Sequence, residues 1–338
     1  MPAPSPAALL RLEELLAAAG GAARHRLLGW VDDGGERLPL HAILLGNPDP
    51  GLPALGFFGG VHGLERIGAE AVIAYLHSLV ARLGWDRGLQ HQLDHLQLVF
   101  MPLVNPGGLR RGTRANPRGV DLMRNAPVEA QGPVPFLVGG QRFSPGLPWY
   151  RGAAGAAMEV ESAALCELVE AELLSRPFAL ALDCHSGFGS RDRLWFPHAH
   201  TPEPMAPLPE VHALGRILAQ SHPHHRYVLE PQSRQYLAHG DLWDHLLLRA
   251  AGRPPGSFLP LTLEMGSWLW VRKNPRQLFR RDGLFNPMIA HRQQRVLRRH
   301  LGLFDFLARA TQSHAAWCPQ GAAREQERAL ALARWYAA

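Results

Sequence analysis

His62 and Glu65 stand three residues apart in "FFGGVHGLERIGAE", where an apolar run ends in two glycines and a helical pattern begins. A second imidazole, His185, closes another apolar run in "FALALDCHSG", and Glu264 lies among apolar neighbours in "FLPLTLEMG". Two imidazoles and one carboxylate suit a catalytic zinc, which takes three protein ligands and keeps a fourth position for water. His185 follows Glu65 by 120 residues (185 − 65), so only a fold could unite the three. A glutamate inside an apolar strand would be a costly buried charge without a function. In this order, and at the ends of strands, these residues point to a metal site.

The elements that must position them follow from hydrophobic periodicity. Strands are expected at 24–33 and 36–46 around an Asp-Asp-Gly-Gly turn, at 54–60, and as a long apolar stretch over 93–106. Further strands are expected at 177–187, 226–231 and 258–267. Helical patterns cover the N-terminal leucines, 67–84, 159–176, 208–222, 240–250 and 286–310. Residues 105–157, rich in Gly, Pro and Arg, read as a long structured loop. Strands alternating with helices predict an α/β fold: a single domain with a mixed, largely parallel central sheet covered by helices on both faces. In such sheets ligands gather beyond the carboxyl ends of the strands, where His62, Glu65, the 105–125 segment, Asp183, His185 and Glu264 all fall.

Composition narrows the class. With 338 residues, 46% hydrophobic and 19% charged, the chain suits a globular protein and argues against disorder. Arg11, Glu13 and Glu14 interrupt the N-terminal leucines, and no stretch reaches membrane-spanning length, so a cytoplasmic protein with no membrane partner is expected. Cys166, Cys184 and Cys318 form no CxxC pair, which suits a reducing compartment. Only Lys273 among the 35 basic residues is a lysine, and a basic run spans Arg272 to Arg299. Scarce interleaved aromatics make that run a solvated face rather than a nucleic-acid surface.

The segments "GGVHGLE", "NPGGLRRGTRANPRGVDLMRN", "LDCHSG", "SRQYLAHGDLWD" and "LTLEMG" follow the order of the carboxypeptidase A-type zinc peptidases, which this sequence resembles from about residue 54 to about 268. "GTRANPRGVDL" looks most like the bacterial murein-peptide amidase branch. The resemblance implies one zinc per chain, held by His62, Glu65 and His185, with Asp121 orienting His62. It implies that Arg114 polarises the scissile carbonyl, Arg124 binds a terminal carboxylate, Tyr236 is a mobile phenol over the site, and Glu264 is the general base and acid. Met123 departs from the pattern, standing where an asparagine normally helps Arg124, and a thioether donates no hydrogen bond. Trp243 falls at a position that often lines the family's side-chain pocket; a core role fits it equally.

The expectation is therefore a zinc-dependent hydrolase cleaving an amide bond in a small peptide. One alternative is an N-acyl amino acid deacylase or amidohydrolase acting on an acylated amino acid at the same site. Another, from a different class, is a non-catalytic binding protein with a basic surface. The catalytic domain is expected over 1–314, with a helical tail over 315–338.

Overall fold

An antiparallel hairpin, β1 (Ala23–Asp33) and β2 (Glu36–Gly46), turns at Gly34 and Gly35, both of which take positive φ. In the computed structural model, residues 7–251 and 257–337 are described; the first six residues of the expected domain, residues 252–256 and the last residue of the expected tail lie outside. The other strands are β3 (Ala54–Gly59), β4 (Gln97–Met101), β5 (Phe178–Ser186), β6 (Arg193–Phe196), β7 (Val228–Pro231) and β8 (Ser257–Met265). They form one sheet in the order β1-β2-β4-β3-β5-β8-β6-β7. The four central strands β4, β3, β5 and β8 are mutually parallel, while β1, β2 and β6 run antiparallel to a neighbour, so the sheet is mixed as expected.

The helices are α1 (Ala7–Ala19), α2 (Arg66–Arg82), α3 (Arg87–Asp94), α4 (Pro106–Arg111), α5 (Val160–Glu172), α6 (Leu208–Ser221), α7 (Leu242–Ala251), α8 (Trp268–Lys273), α9 (Ala290–Gln312), α10 (His314–Trp317) and α11 (Gly321–Trp335). Neighbouring side chains of a strand point to opposite faces, and β3 shows where each goes. Phe57 packs against Tyr75 of α2 and Phe304 of α9, whereas Phe58 meets Trp243 of α7 on the other face. Helices thus cover both sides. At the far edge α11 lies on α6, and its Trp335 rings against Phe196 and donates to the Leu229 carbonyl at 2.9 Å.

The expected strand at 93–106 is shorter than its apolar content suggested. Leu93 and Asp94 close α3, whose start is capped by the Asp86 side chain accepting from the Leu89 N–H. Pro102 lacks an N–H and stops the ladder after Met101. The short strand β6 escaped the sequence reading, because four residues carry too little periodicity.

Two contacts seat the site's scaffold. A Cβ on Gly68 would lie 2.1 Å from the Cys184 carbonyl oxygen, so the start of α2 rides directly on β5. Gly68→Ala is expected to cost about 1–3 kcal/mol through overpacking, read as a melting temperature several degrees lower. An unchanged melting temperature would mean that the contact is not that close. At the other face, buried Asn116 donates to Glu159 (2.9 Å) and Glu161 (3.2 Å), tying the 113–121 loop to the start of α5.

Burial, and then the neighbouring Glu159, push the Glu161 carboxyl up to about 7. The folded protein therefore holds a proton that the unfolded chain releases above about 4.5. Its contribution is full below that pH and is lost as pH rises through 7. Glu161→Gln should accordingly gain thermal stability over the parent at pH 8 and lose that advantage below pH 4.5, as scanning calorimetry across pH would show.

Candidate metal centre and substrate cleft

The apolar strand β3 delivers the chain to Gly60, whose φ of +65° turns it out of the sheet. His62 and Glu65 follow in the turn before α2, and Asn286 fixes that turn: its amide donates to the Leu64 carbonyl at 2.8 Å and accepts from the Ile67 N–H at 3.0 Å. β5 carries Asp183 and His185 two residues apart, hence on one face. β8 runs parallel to it with His185 opposite Glu264 and Asp183 opposite Thr262. The site therefore sits at the carboxyl ends of the central parallel strands, on the face covered by α7.

The sequence-predicted ligands converge. His62 Nδ1 lies 2.9 Å from Glu65 Oε1, and His185 Nδ1 lies 3.1 Å from both His62 Nδ1 and Glu65 Oε2. The opposite ring nitrogens face carboxylates: His62 Nε2 is 3.2 Å from Asp121, and His185 Nε2 is 2.7 Å from Asp183. With the Nε2 protons on those carboxylates, the neutral rings would turn both Nδ1 lone pairs toward Glu65, a set of three acceptors that suits a cation. Their spacing suits zinc, whose bonds to nitrogen of about 2.0–2.1 Å separate tetrahedral ligands by roughly 3.3 Å. The donor set fits the metal.

Electrostatics support the same arrangement. Burial works against charge on Glu65, yet His62 and His185 hold its carboxyl well below the usual range. Burial likewise opposes charge on Asp121, but Arg114 and His62 keep it ionised far below the usual range. His185 is raised despite burial, chiefly by Asp183 and then Glu65, which makes it a stronger base. Glu264 behaves oppositely: burial first, and the nearby Glu65 second, push it up to about 8. Its Oε2 is buried and has no hydrogen-bond partner among the described residues.

Arg114 donates from Nε to Asp121 at 2.8 Å and lies 3.3 Å from Glu65, mostly buried at the rim of the cleft. Arg124 donates to the Tyr236 hydroxyl at 3.3 Å, with its guanidinium 5.9 Å from that ring's centre. Arg114, Met123, Arg124, Tyr236 and Glu264 all border one small cleft of about 30 Å³ beside His62 and His185.

Trp243 does not border it. The ring is 2% exposed, donates from Nε1 to Asp183 at 2.9 Å and stacks edge-on against Phe58. This corrects its reading as a pocket residue: it is a core residue that acts on the site from behind, by holding the carboxylate that holds His185. The pocket wall there is Trp195, placed opposite Thr262 by the β6–β8 pairing. Asp183, Asn286 and Trp195 were given no role in the sequence reading. Only Asp183 left a signal, the two-residue spacing of "DCH" on a strand.

A model of one protein family, zinc carboxypeptidase, matches residues 36–253. The chain belongs to the zinc carboxypeptidase family. Zinc carboxypeptidases are metallopeptidases with one zinc, and His62, Glu65 and His185 form the site present for it in this family member. A search of curated proteins finds no match. Solved structures share the fold at low identity. Thrombin activatable fibrinolysis inhibitor aligns with a TM-score of 0.64 and 18% identity over 89% of this chain and 72% of its own. Carboxypeptidase A from Helicoverpa armigera gives 0.57 and 18%, over 86% and 71%. A metallo-carboxypeptidase from Burkholderia cenocepacia gives 0.52 and 16%, over 76% and 59%. The family match ends before Glu264, which the β5–β8 register sets opposite His185.

Proposed function

We propose that this metallopeptidase hydrolyses the amide bond preceding the terminal residue of a small peptide, with Glu264 as general base and acid. The observation that carries the proposal is the convergence of His62, Glu65 and His185 beside Glu264, whose Oε2 is buried and has no partner among the described residues. Zinc, when bound, supplies Lewis acidity and a water acidic enough to lose its proton near neutral pH. Glu264 takes that proton and returns it to the leaving amine. Arg114 places its guanidinium where negative charge develops on the scissile carbonyl oxygen; losing one such donor typically costs about 10²–10³ in rate. Arg124 offers a fork that suits both oxygens of a carboxylate, and Tyr236 steadies it through its hydroxyl. A cytoplasmic setting belongs to the proposal, which the three unpaired cysteines suit.

Met123 favours a second reading. It borders the cleft beside Arg124 and brings no hydrogen-bond donor, which weakens carboxylate recognition and admits an acylated amino acid or another amide as substrate. A library of peptides and N-acyl amino acids, each with a free or amidated C-terminus, separates the two. The peptidase reading expects amidation to lower kcat/KM by at least about tenfold, the loss of one charge-assisted contact. Equal rates would remove Arg124 as the carboxylate clamp and favour the amidohydrolase. No hydrolysis by the zinc-loaded protein would overturn both.

A further inference from the structure

A second group of imidazole and carboxylate side chains shares no residue with the His62 centre. His198 and His200 follow β6, and Asp244 lies in the first turn of α7; their ligand atoms fall within 4.8 Å of one another. Asp244 is fully buried and has a structural task. Its Oδ2 accepts from the backbone N–H groups of Ala199 (2.9 Å) and His200 (2.6 Å). That task accounts for the carboxylate but needs neither imidazole. His200 Nδ1 faces the same oxygen at 2.6 Å, whereas His198 Nδ1 stands 4.0 Å from Oδ1, too far for a hydrogen bond. His198 Nδ1 is buried and has no hydrogen-bond partner among the described residues. The two rings nevertheless meet edge-on, with centroids 4.8 Å apart. A surface groove of about 330 Å³, bordered by His198, Leu247, Phe258 and Arg324, gives access from solvent. Glu210 engages the charge of Arg324 at 2.7 Å, so the groove does not repel a cation.

We infer that His198, His200 and Asp244 form a second metal site, for a divalent transition ion such as zinc. Two imidazoles and a carboxylate suit zinc, cobalt or nickel, whereas magnesium and calcium take oxygen ligands. On binding, the proton that His200 Nδ1 shares with Asp244 leaves for solvent and the ion takes its place. Tetrahedral zinc sets its ligand atoms roughly 3.3 Å apart. From the distances of 2.6 Å and 4.0 Å, His200 must therefore draw back from Asp244, and His198 approach it, by about 0.7 Å each. His198 is placed to move: its side chain is 12% exposed at the groove, and no hydrogen bond holds Nδ1. The role of the ion is structural. The His198 carbonyl accepts from Ser233 N–H at 3.1 Å and the Ala199 carbonyl from Ala238 N–H at 2.9 Å, so this segment holds both ends of the stretch that carries Tyr236. A metal there cross-links the exit of β6, the start of α7 and the Tyr236 loop.

The test is a zinc titration of the metal-stripped full chain against a chromophoric chelator of known affinity. The parent should bind two equivalents, and zinc beyond the first should raise the melting temperature by several degrees, as a ligand of the folded state does. Magnesium at the same concentration should not. His198→Gln, a change at a partly exposed position, should weaken the second equivalent by at least about 100-fold and leave the first in place; loss of a merely supporting group costs no more than that. His200→Gln, whose amide can still donate to Asp244, should do the same and guards against a folding defect in either variant. His62→Gln should weaken the first equivalent and keep the second. A parent that stops at one equivalent overturns the assignment. So does a second equivalent that survives undiminished in either His198→Gln or His200→Gln, or one that disappears in His62→Gln.

Discussion

Glu264→Gln is expected to lower kcat by about 10²–10⁴ while the protein still binds one zinc. Parallel pairing of β5 and β8 sets Glu264 directly opposite His185, one strand away from a metal ligand. Burial and the neighbouring Glu65 raise its carboxyl to about 8, and a cation held by Glu65 would lower it again toward the range of a base. Structurally it has little to do, since Oε2 meets no partner among the described residues. Glutamine matches its shape and brings no charge into the buried site, so folding should be preserved or improved, which a thermal melt would verify. Undiminished turnover in the variant would remove Glu264 as the base. Loss of zinc together with turnover would make it part of the metal's support instead.

The second large effect is expected from Asp183→Ala, a residue that touches neither substrate nor metal. Asp183 is fully buried, and its Oδ2 accepts from both His185 Nε2 and Trp243 Nε1. Removing it frees the His185 ring to rotate and lowers the basicity of Nδ1. Zinc affinity should fall by about 10–100-fold, as is usual when such a supporting carboxylate is lost. The Trp243 N–H would also be left buried without a partner, costing about 1–3 kcal/mol even in metal-free protein. Zinc competition against a chelator of known affinity measures the first effect, and melting with and without zinc separates the second. Parental zinc affinity in Asp183→Ala would show that Glu65 alone orients His185.

Much of the site was legible because its chemistry is local. "HGLE" places two ligands on one turn, and "DCH" and "TLE" place polar groups two apart on apolar strands, where alternation puts them on a shared face. The resemblance to zinc peptidases added Asp121, Arg114 and Arg124, and the fold brings the two arginines to one cleft and sets Asp121 behind it, against His62. Asn286 could not be found this way. It stabilises the His62–Glu65 turn from 221 residues beyond Glu65 (286 − 65), through backbone contacts that leave no pattern. Trp243 was ambiguous for a related reason: it stands two residues after cleft-bordering Asp241, in the first turn of α7, and periodicity does not say which way its ring turns.

The sequence by itself determined the alternation of strands and helices, the turn that presents His62 and Glu65, and the kinds of side chain available for a metal. Those depend on contacts within a few residues, where φ/ψ preference and the two-residue or 3.6-residue period are decisive. Tertiary structure decided the rest: that β5 pairs with β8 in the register that sets His185 against Glu264, that Trp243 serves Asp183 rather than the cleft, and that Gly240 locks Asp241 beside Arg124. These are pairings between distant segments, selected by which arrangement buries the most apolar surface while leaving the fewest polar atoms unpaired. Any one segment contains only half of such a pair.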